Sequence, residues 1–379
     1  IFIPSERTEN ELKLGKILKI ANLRSTLFEH FPRFSMMDAH LHAQLVQNVS
    51  DIVFKHMHVL SGQKVMVIFD EECELSKIVL KAYREALATH PLTQFVDFNA
   101  HKMEEVEALA KTLSKDDLVV MIQSMSFRVS VYRWRLELFD HGLKVVEHVR
   151  LSHNLESEIP AYIHSLKYDF PFTSTTSKKL NELLKTSVHI KIECKGGSIL
   201  TLDSRMEKPV INTGNIETEQ RGGYFPIGEI FSEPIELDKM NGTVEVYAYP
   251  GEDHRMVFVE HPFKIAIENG NVVGGDFPEN FQPLIDMLKM ENADGKIPVR
   301  EFGLGLNRGI SPTHTLTEAT AFERVAGLHL SMGMKHGAYQ KKFKKNKELQ
   351  QRYHVDIYPL VKRIWIQDTL VFDSGAFVV

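Results

Sequence analysis

Four short apolar segments alternate with helix-like segments between residues 64 and 151, and this alternation constrains the fold more than any other feature. The apolar segments are KVMVIF (64–69), QFVDF (94–98), DLVVMIQ (117–123) and LKVVEHVRL (143–151). The residues between them repeat apolar side chains at spacings of three and four, which predicts amphipathic helices over 75–90, 102–113 and 132–142. Strands and helices that alternate in this way form a parallel sheet covered by helices on both faces. We therefore predict an α/β fold for the N-terminal half.

The pattern changes after about residue 187, where short β-rich segments are separated by glycine, asparagine and proline. ENGNVVGG (268–275) predicts a hairpin turn. Helices are predicted over 10–60, 278–291 and 316–327, and the Ser/Thr-rich PFTSTTSKK (171–179) is interpreted as a linker or a helix cap. A chain of 379 residues is long enough for two domains. We predict an N-terminal α/β domain (1–186) and an α+β, β-rich metal-binding domain (187–379).

Composition and charge exclude several classes of function. The net charge of −5 gives no electrostatic reason to expect nucleic acid or an anionic membrane as a partner. No apolar run approaches the roughly 18–20 residues that a membrane-spanning helix needs. Cys73 and Cys194 are the only cysteines and lie far apart, so neither a disulfide framework nor a thiolate metal site is indicated, and a cytoplasmic location is expected. The loop after the first strand lacks the glycines that bind nucleotide phosphates.

A histidine pair near the N-terminus is the first candidate for a metal site. MMDAHLHAQ (36–44) has the H-x-H pattern with which amidohydrolase barrels begin their metal site. Its flanking residues, however, have helical spacing, and on a helix His40 and His42 point about 200° apart. We therefore interpret both as ordinary helical histidines.

The C-terminal half holds a second group of candidates. Glu229 lies among apolar residues in GGYFPIGEIFSEP (222–234), where a carboxylate must be paired, protonated or bound to a cation. Glu301 precedes FGLGLN, whose glycines allow a close approach of the backbone. His354 and Asp356 in QRYHVDIYP would share one face of a strand. Spacing alone also allows a structural hydrogen-bonded pair there.

Two further histidines, His329 and His336, lie seven residues apart in VAGLHLSMGMKH (325–336). Together with the carboxylates and His354 they make a set of nitrogen and oxygen donors without a thiolate. Such a set suits zinc, cobalt, manganese or non-haem iron(II).

Taken in order, these segments resemble the metalloaminopeptidases of the aminopeptidase T, aminopeptidase S and PepS type. Pro226–Phe231 resembles the family's P-T-G-E-V-F motif, His329–Gly333 its H-I-A-L-G segment, and His354–Ile357 its H-V-D-F segment. Glu301 corresponds to a second glutamate of the family.

The resemblance implies a two-metal site and the release of N-terminal residues from peptides. Glu229, His329, His354 and Asp356 would divide between two ions, and Glu301 would bridge them. Zinc or cobalt is the expected metal, a peptide the expected substrate, and a homodimer the expected assembly.

The chain also departs from this pattern. His336 stands where the peptidases carry a tyrosine at the metal centre, so we expect it to act in catalysis, because an imidazole titrates near neutral pH. Ile227 replaces the threonine of P-T-G-E. Two alternatives therefore stay open. One is a mononuclear iron(II) enzyme resembling the 2,5-dihydroxypyridine dioxygenases, which would use Glu301, His354 and Asp356. The other is an inactive peptide-binding protein of a peptide-modification pathway.

Overall fold

The structure is a computed structural model that describes residues 38–130, 134–167, 169–216, 221–292, 294–342 and 353–379. The chain divides into two compact units, residues 1–42 and 43–379. The first unit is described only from residue 38, so the predicted helix over 10–60 can be compared only in its later part. Of the described helices and strands, all but the start of the first helix lie in the second unit.

The α-helices of the described residues agree with most of the predicted ones. They are α1 (Ala39–Ser50), α2 (Glu74–Ala86), α3 (Met103–Ala110), α4 (Trp134–Asp140), α5 (Ile159–Ser165), α6 (Phe170–Thr186), α7 (Gln282–Met290) and α8 (Ala319–Phe322). A π-helical turn, Asp51–His56, continues α1. His40 and His42 lie on α1, as predicted. None of the described helices has both the length and the apolarity that a membrane crossing requires.

A five-stranded parallel sheet forms the first layer. Its strands, in chain order, are β1 (Val65–Phe69), β2 (Thr93–Asp97), β3 (Leu118–Ile122), β4 (Lys144–His148) and, from further along the chain, β8 (Gly222–Tyr224). Their order across the sheet is β2-β1-β3-β4-β8, and every neighbouring pair is parallel. All residues of β1 and β3 are buried, which explains their unbroken apolar sequence. The predicted parallel sheet is confirmed.

The fifth strand of this sheet depends on a glycine. A Cβ at Gly222 would lie 1.9 Å from the carbonyl oxygen of Val145 on β4, and the φ of Gly222 is +123°. No other residue could pair there without moving the backbone. One strand of the parallel sheet, β8, therefore comes from the segment after residue 186. The domain boundary predicted at residue 186 stays a prediction.

The remaining strands of the described chain form a large antiparallel sheet. Its strands are β5 (Ile190–Cys194), β6 (Ile199–Leu202), β7 (Val210–Asn212), β9 (Glu229–Ser232), β10 (Met240–Pro250), β11 (Met256–Glu268), β12 (Asn271–Gly275), β13 (Val299–Gly305), β14 (Gly327–Gly333), β15 (His354–Pro359), β16 (Val361–Ile366), β17 (Thr369–Asp373) and β18 (Ala376–Phe377). β11 and β12 pair as the predicted hairpin. The central run of this sheet is β10-β15-β14-β13-β9. The mixed α/β fold expected from the sequence is therefore present.

Two predicted segments differ from the structure. PFTSTTSKK is not a linker, because it lies inside α6. The carboxylate of Asp169 accepts the amide N–H of Phe172 (3.1 Å) and caps this helix, and the short side chains of Thr173, Thr176 and Ser177 are buried. The helix predicted over 316–327 is reduced to α8, since the chain turns into β14 at Gly327, whose φ is +146°. The sequence also contains a basic segment, KKFKKNK (341–347), which lies outside the described residues from position 343 onward.

Candidate metal centre

The predicted ligands come from four neighbouring strands of the antiparallel sheet. Glu229 is the first residue of β9, Glu301 lies on β13 and His329 on β14. His354 and Asp356 lie on β15. Because β15, β14, β13 and β9 are consecutive in the sheet, residues from four separate segments of the sequence meet on one surface.

The strand register places the side chains within reach of one another. His329 is paired with Gly303 on the adjacent strand, and Asp356 is paired with Ser331. A Cβ at Gly303 would lie 1.9 Å from Nε2 of His329. The glycine therefore makes room for the imidazole directly above the backbone of β13. This is the close approach that the FGLGLN segment indicated.

Glu301 lies at the centre of the group and faces both histidines. Its Oε1 is 3.2 Å from Nε2 of His329, and its Oε2 is 3.7 Å from Nε2 of His354. Nε2 of His329 is also 3.3 Å from Oε1 of Glu229, and Nε2 of His354 is 3.3 Å from Oδ1 of Asp356. Glu229, Glu301 and His329 are buried, whereas the side chains of His354 and Asp356 are each 18% exposed. The group thus reaches solvent on the side of β15.

Within the described part of the chain, these side chains form two sets of metal donors. One set consists of Glu229, Glu301, Glu323 and His329, and the other of Glu301, His354 and Asp356. In each set the donor atoms lie within 4.8 Å of one another, and Glu301 belongs to both. The structure thus brings together all five residues that the sequence singled out as ligands, while their binding of metal stays a prediction.

Two members of the site were not predicted. Glu323 and Arg324 lie between α8 and β14, in a segment for which the sequence indicated a helix. Nη1 of Arg324 is 2.6 Å from Oε2 of Glu229 and 2.8 Å from Oε2 of Glu323, and the side chain of Arg324 is buried. The only sequence signal for either was an acidic and a basic residue shortly before His329.

The pKa values show how strongly these groups interact. Burial alone would lower the pKa of His354, but Asp356 and Glu301 raise it to about 10. For His329, the hydrogen bonds to Glu229 and Glu301 outweigh burial and raise the pKa well above its ordinary value. Burial raises the pKa of Glu301, whereas at Glu229 Arg324 and His329 together outweigh burial and lower the pKa. The carboxylates of the site therefore stabilise positive charge on the histidines between them.

The residues present fit a divalent cation. In the described chain, Nδ1 of His329 is buried without a hydrogen-bond partner, while Oε1 of Glu229, Oε2 of Glu301 and Oδ1 of Asp356 are buried with histidine nitrogens at 3.3, 3.7 and 3.3 Å. Buried carboxylates without partners cost free energy unless a cation compensates their charge. The two sets contain four carboxylates, of which Arg324 contacts two, and none of the donors is a thiolate. This chemistry suits zinc, cobalt, manganese or iron(II).

His336, expected to be catalytic, lies beside the two sets but belongs to neither. It follows β14, and its ring centroid is 5.6 Å from that of His354 and 4.5 Å from that of Phe231. Its backbone N–H donates to Oε1 of the buried Glu233 (2.7 Å). The loop is thus held so that an imidazole stands next to the exposed side of the site.

A cavity of about 470 Å³ lies by the segment that precedes β9, and none of the described residues that line it is a candidate ligand. Its lining includes Ile227, Asn307, Lys167, Arg308 and Asp169. The amide of Asn307 donates to the carbonyl of Ile227 (3.1 Å) and so ties the cavity wall to the segment that precedes Glu229. Arg308 forms an ion pair with Asp169 at the rim. The cavity therefore offers charged groups of both signs.

Comparisons with known proteins establish the fold. No family model matches the chain, and no curated protein matches it in sequence. The 2,5-dihydroxypyridine dioxygenase from Pseudomonas putida KT2440 is similar in structure, with a TM-score of 0.59 and 18% identity over 89% of this chain and 97% of that one. Wild-type AmpT from Thermus thermophilus is similar too, with a TM-score of 0.55 and 12% identity over 89% and 99% of the two chains. At these identities the likeness concerns the fold alone.

Proposed function

We propose that the chain is a metal-dependent aminopeptidase, a hydrolase that releases N-terminal residues from peptides. The observation that carries the proposal is the pair of neighbouring donor sets that share the buried Glu301. The motif resemblance to the aminopeptidase T type and the fold shared with the aminopeptidase AmpT support it. From the resemblance we further propose zinc or cobalt as the metal and a homodimer as the assembly. A cytoplasmic location is part of the same proposal.

The residues of the site have distinct tasks in this proposal. Glu229, Glu301, His329, His354 and Asp356 would hold the metal, with Glu323 as an additional donor. Divalent ions held there would polarise a peptide carbonyl and lower the pKa of water. The peptide would reach these donors from the side of β15, where the side chains of His354 and Asp356 are each 18% exposed.

His336 is the residue that we propose for proton transfer. An imidazole changes charge near neutral pH, and this one stands 5.6 Å, ring to ring, from His354. A positioned acid or base of this kind typically contributes about 10²–10⁴-fold to a rate. We therefore expect His336→Phe to lower kcat by about 10²-fold or more, without changing the metal content.

A second candidate function rests on a difference between the donor sets. Arg324 contacts Glu229 and Glu323, whereas the set of Glu301, His354 and Asp356 holds no arginine. A single iron(II) in that set would suit an oxygenase that acts on a small aromatic ring, in line with the fold shared with the dioxygenase.

The test is an assay of the metal-free protein after addition of zinc or cobalt in nitrogen-purged buffer. Hydrolysis of amino-acid amides is expected, and the same amides with an acetylated amino group should not be cleaved. Oxygen consumption with iron(II) and a dihydroxypyridine, without amide hydrolysis, would favour the oxygenase instead. Tight peptide binding without turnover in the presence of metal would contradict both enzymes and support a peptide-binding protein.

A further inference from the structure

The two donor sets differ in their electrostatic surroundings. Glu229, Glu323 and His329 belong to the inner set, which lies away from the exposed side of the site. The outer set adds His354 and Asp356 to the shared Glu301, and both of these side chains are partly exposed. Among the described residues, Arg324 is the arginine that contacts these donors, and it contacts two members of the inner set, Glu229 and Glu323.

Arg324 already occupies part of the inner set. Its Nη1 lies 2.6 Å from one oxygen of Glu229 and 2.8 Å from one oxygen of Glu323, which are the distances of charge-assisted hydrogen bonds. A guanidinium cannot lose its proton in a protein, so this charge persists at any working pH. A divalent ion in the inner set would therefore compete with Arg324 for two carboxylates and would be repelled by its charge.

The position of Arg324 is held by the fold. Its backbone carbonyl accepts the amide N–H of Asn307 (3.0 Å), and the side chain of Asn307 donates to the carbonyls of Ser165 (2.8 Å) and Ile227 (3.1 Å). Its Nε is buried and has no hydrogen-bond partner among the described residues. The side chain is thus anchored at its base and held at its tip by the two carboxylates.

We propose that Arg324 makes the two donor sets unequal, so that metal loading is ordered. A first divalent ion binds to the outer set, Glu301, His354 and Asp356. A second ion binds to the inner set more weakly, because it must compete with the guanidinium for Glu229 and Glu323. The inference rests on the proposed function only in taking the cluster to bind metal.

The experiment is a titration of the metal-free full-length protein with cobalt(II) or zinc, followed by calorimetry and by the metal retained after equilibrium dialysis. The wild type should show one strong step and a second step that is at least tenfold weaker, within the roughly 10–100-fold by which groups contacting metal ligands alter affinity. Asp356→Asn should remove the strong step and leave the weak one. Arg324→Met should strengthen the second step by about tenfold or more and leave the first nearly unchanged.

Two further variants serve as controls. Arg324→Lys keeps a positive charge and should keep the two steps unequal. Arg150→Met removes an arginine from another buried glutamate, Glu318, outside the cluster, and should leave both steps as in the wild type. If Arg324→Met does not fold, because it leaves two buried carboxylates without a cation, the wild type, Asp356→Asn and Arg324→Lys still decide the question.

Several results would overturn the proposal. They are two steps of equal affinity in the wild type, loss of the weak rather than the strong step in Asp356→Asn, or equal steps in Arg324→Lys. Equal steps together with amide hydrolysis would overturn this inference alone. Unequal steps without hydrolysis would instead contradict the proposed function and leave the inference standing. If no ion binds, both fail.

Discussion

Two histidines that are buried to the same degree, His148 and His329, lie in opposite surroundings. His148 ends β4 of the parallel sheet, and its ring nitrogens meet the hydroxyls of Tyr83 (2.9 Å) and Tyr162 (2.8 Å). Burial lowers the pKa of His148 to about 3. His329 on β14 faces the carboxylates of Glu301 and Glu229, which raise its pKa well above the ordinary value.

The comparison separates a structural histidine from a candidate ligand. Two neutral hydroxyls satisfy a neutral imidazole, so His148 needs no further partner. The carboxyl groups around His329 outnumber the one arginine that contacts them, so that group favours the binding of a cation. Burial of a histidine is therefore uninformative by itself, and the charge of the groups around it decides its role.

The largest effect that would test this contrast is expected for Glu301→Ala. Glu301 is the donor that both sets share, so its removal leaves neither complete. We expect affinity for zinc or cobalt to fall more than about 100-fold at both sites, a larger loss than groups that only contact metal ligands cause. Elemental analysis of the protein after dialysis measures it.

Glu245→Gln is the matched control for that variant. Glu245 is a buried glutamate on β10 of the same sheet, and its carboxylate accepts the backbone N–H of Gly196 (2.6 Å) and the hydroxyl of Ser198 (2.7 Å). The Glu245→Gln variant should keep the metal content of the wild type. Full metal occupancy in Glu301→Ala would show that the cluster is not a metal site.

The next largest effect is expected for His148→Leu, and on stability instead of metal binding. The substitution keeps an apolar volume but leaves the buried hydroxyl of Tyr83 without its partner, whereas the hydroxyl of Tyr162 keeps the carbonyl of Phe225 at 3.4 Å. At about 1–3 kcal/mol for an unsatisfied buried group, the loss at Tyr83 alone should lower the free energy of unfolding by about 1–3 kcal/mol. Urea denaturation measures it, and metal affinity measured alongside should be unchanged. If His148→Leu loses metal, His148 is not a purely structural histidine, and the contrast with the candidate ligand His329 is wrong.

The same contrast shows what could be predicted from the sequence. The strands β1 to β4 and the helices between them follow from apolar periodicity, a local property of the chain. The five ligands followed from the order of short motifs, each near the start or middle of a strand. His148 gave no comparable signal, because its environment depends on Tyr83, which lies 65 residues earlier.

Arg324 and α6 show where local patterns fail. Arg324 belongs to the site only through its contact with Glu229, 95 residues away, and the local sequence favoured a helix instead. The PFTSTTSKK segment was interpreted as a linker or a helix cap, yet it lies inside α6, where the short side chains of Thr173, Thr176 and Ser177 are buried. In both cases the deciding interaction is tertiary.

The smallest expected effect is a difference in the pH dependence of stability. The folded-state pKa of His148 is about 3, below the ordinary value of 6.5. Below pH 6.5 the unfolded chain therefore takes up a proton that the folded chain does not, so this contribution to stability is lost as the pH falls toward 3. The free energy of unfolding should then fall by up to roughly 1.4 kcal/mol for each pH unit.

Other groups add to the acid sensitivity of the wild type, including His56, whose pKa burial lowers to about 4. The comparison of wild type with His148→Leu cancels them, since both chains keep these groups. At pH 7 the wild type should have a higher free energy of unfolding than His148→Leu. This difference between the two proteins should shrink by roughly 1.4 kcal/mol per pH unit between pH 5.5 and 4.5. Urea denaturation of the metal-free proteins at pH 7, 5.5 and 4.5 measures this. If the difference in the free energy of unfolding does not change with pH, His148 takes up a proton in the folded state as an exposed histidine does. That result would contradict a neutral imidazole hydrogen-bonded to the two tyrosines.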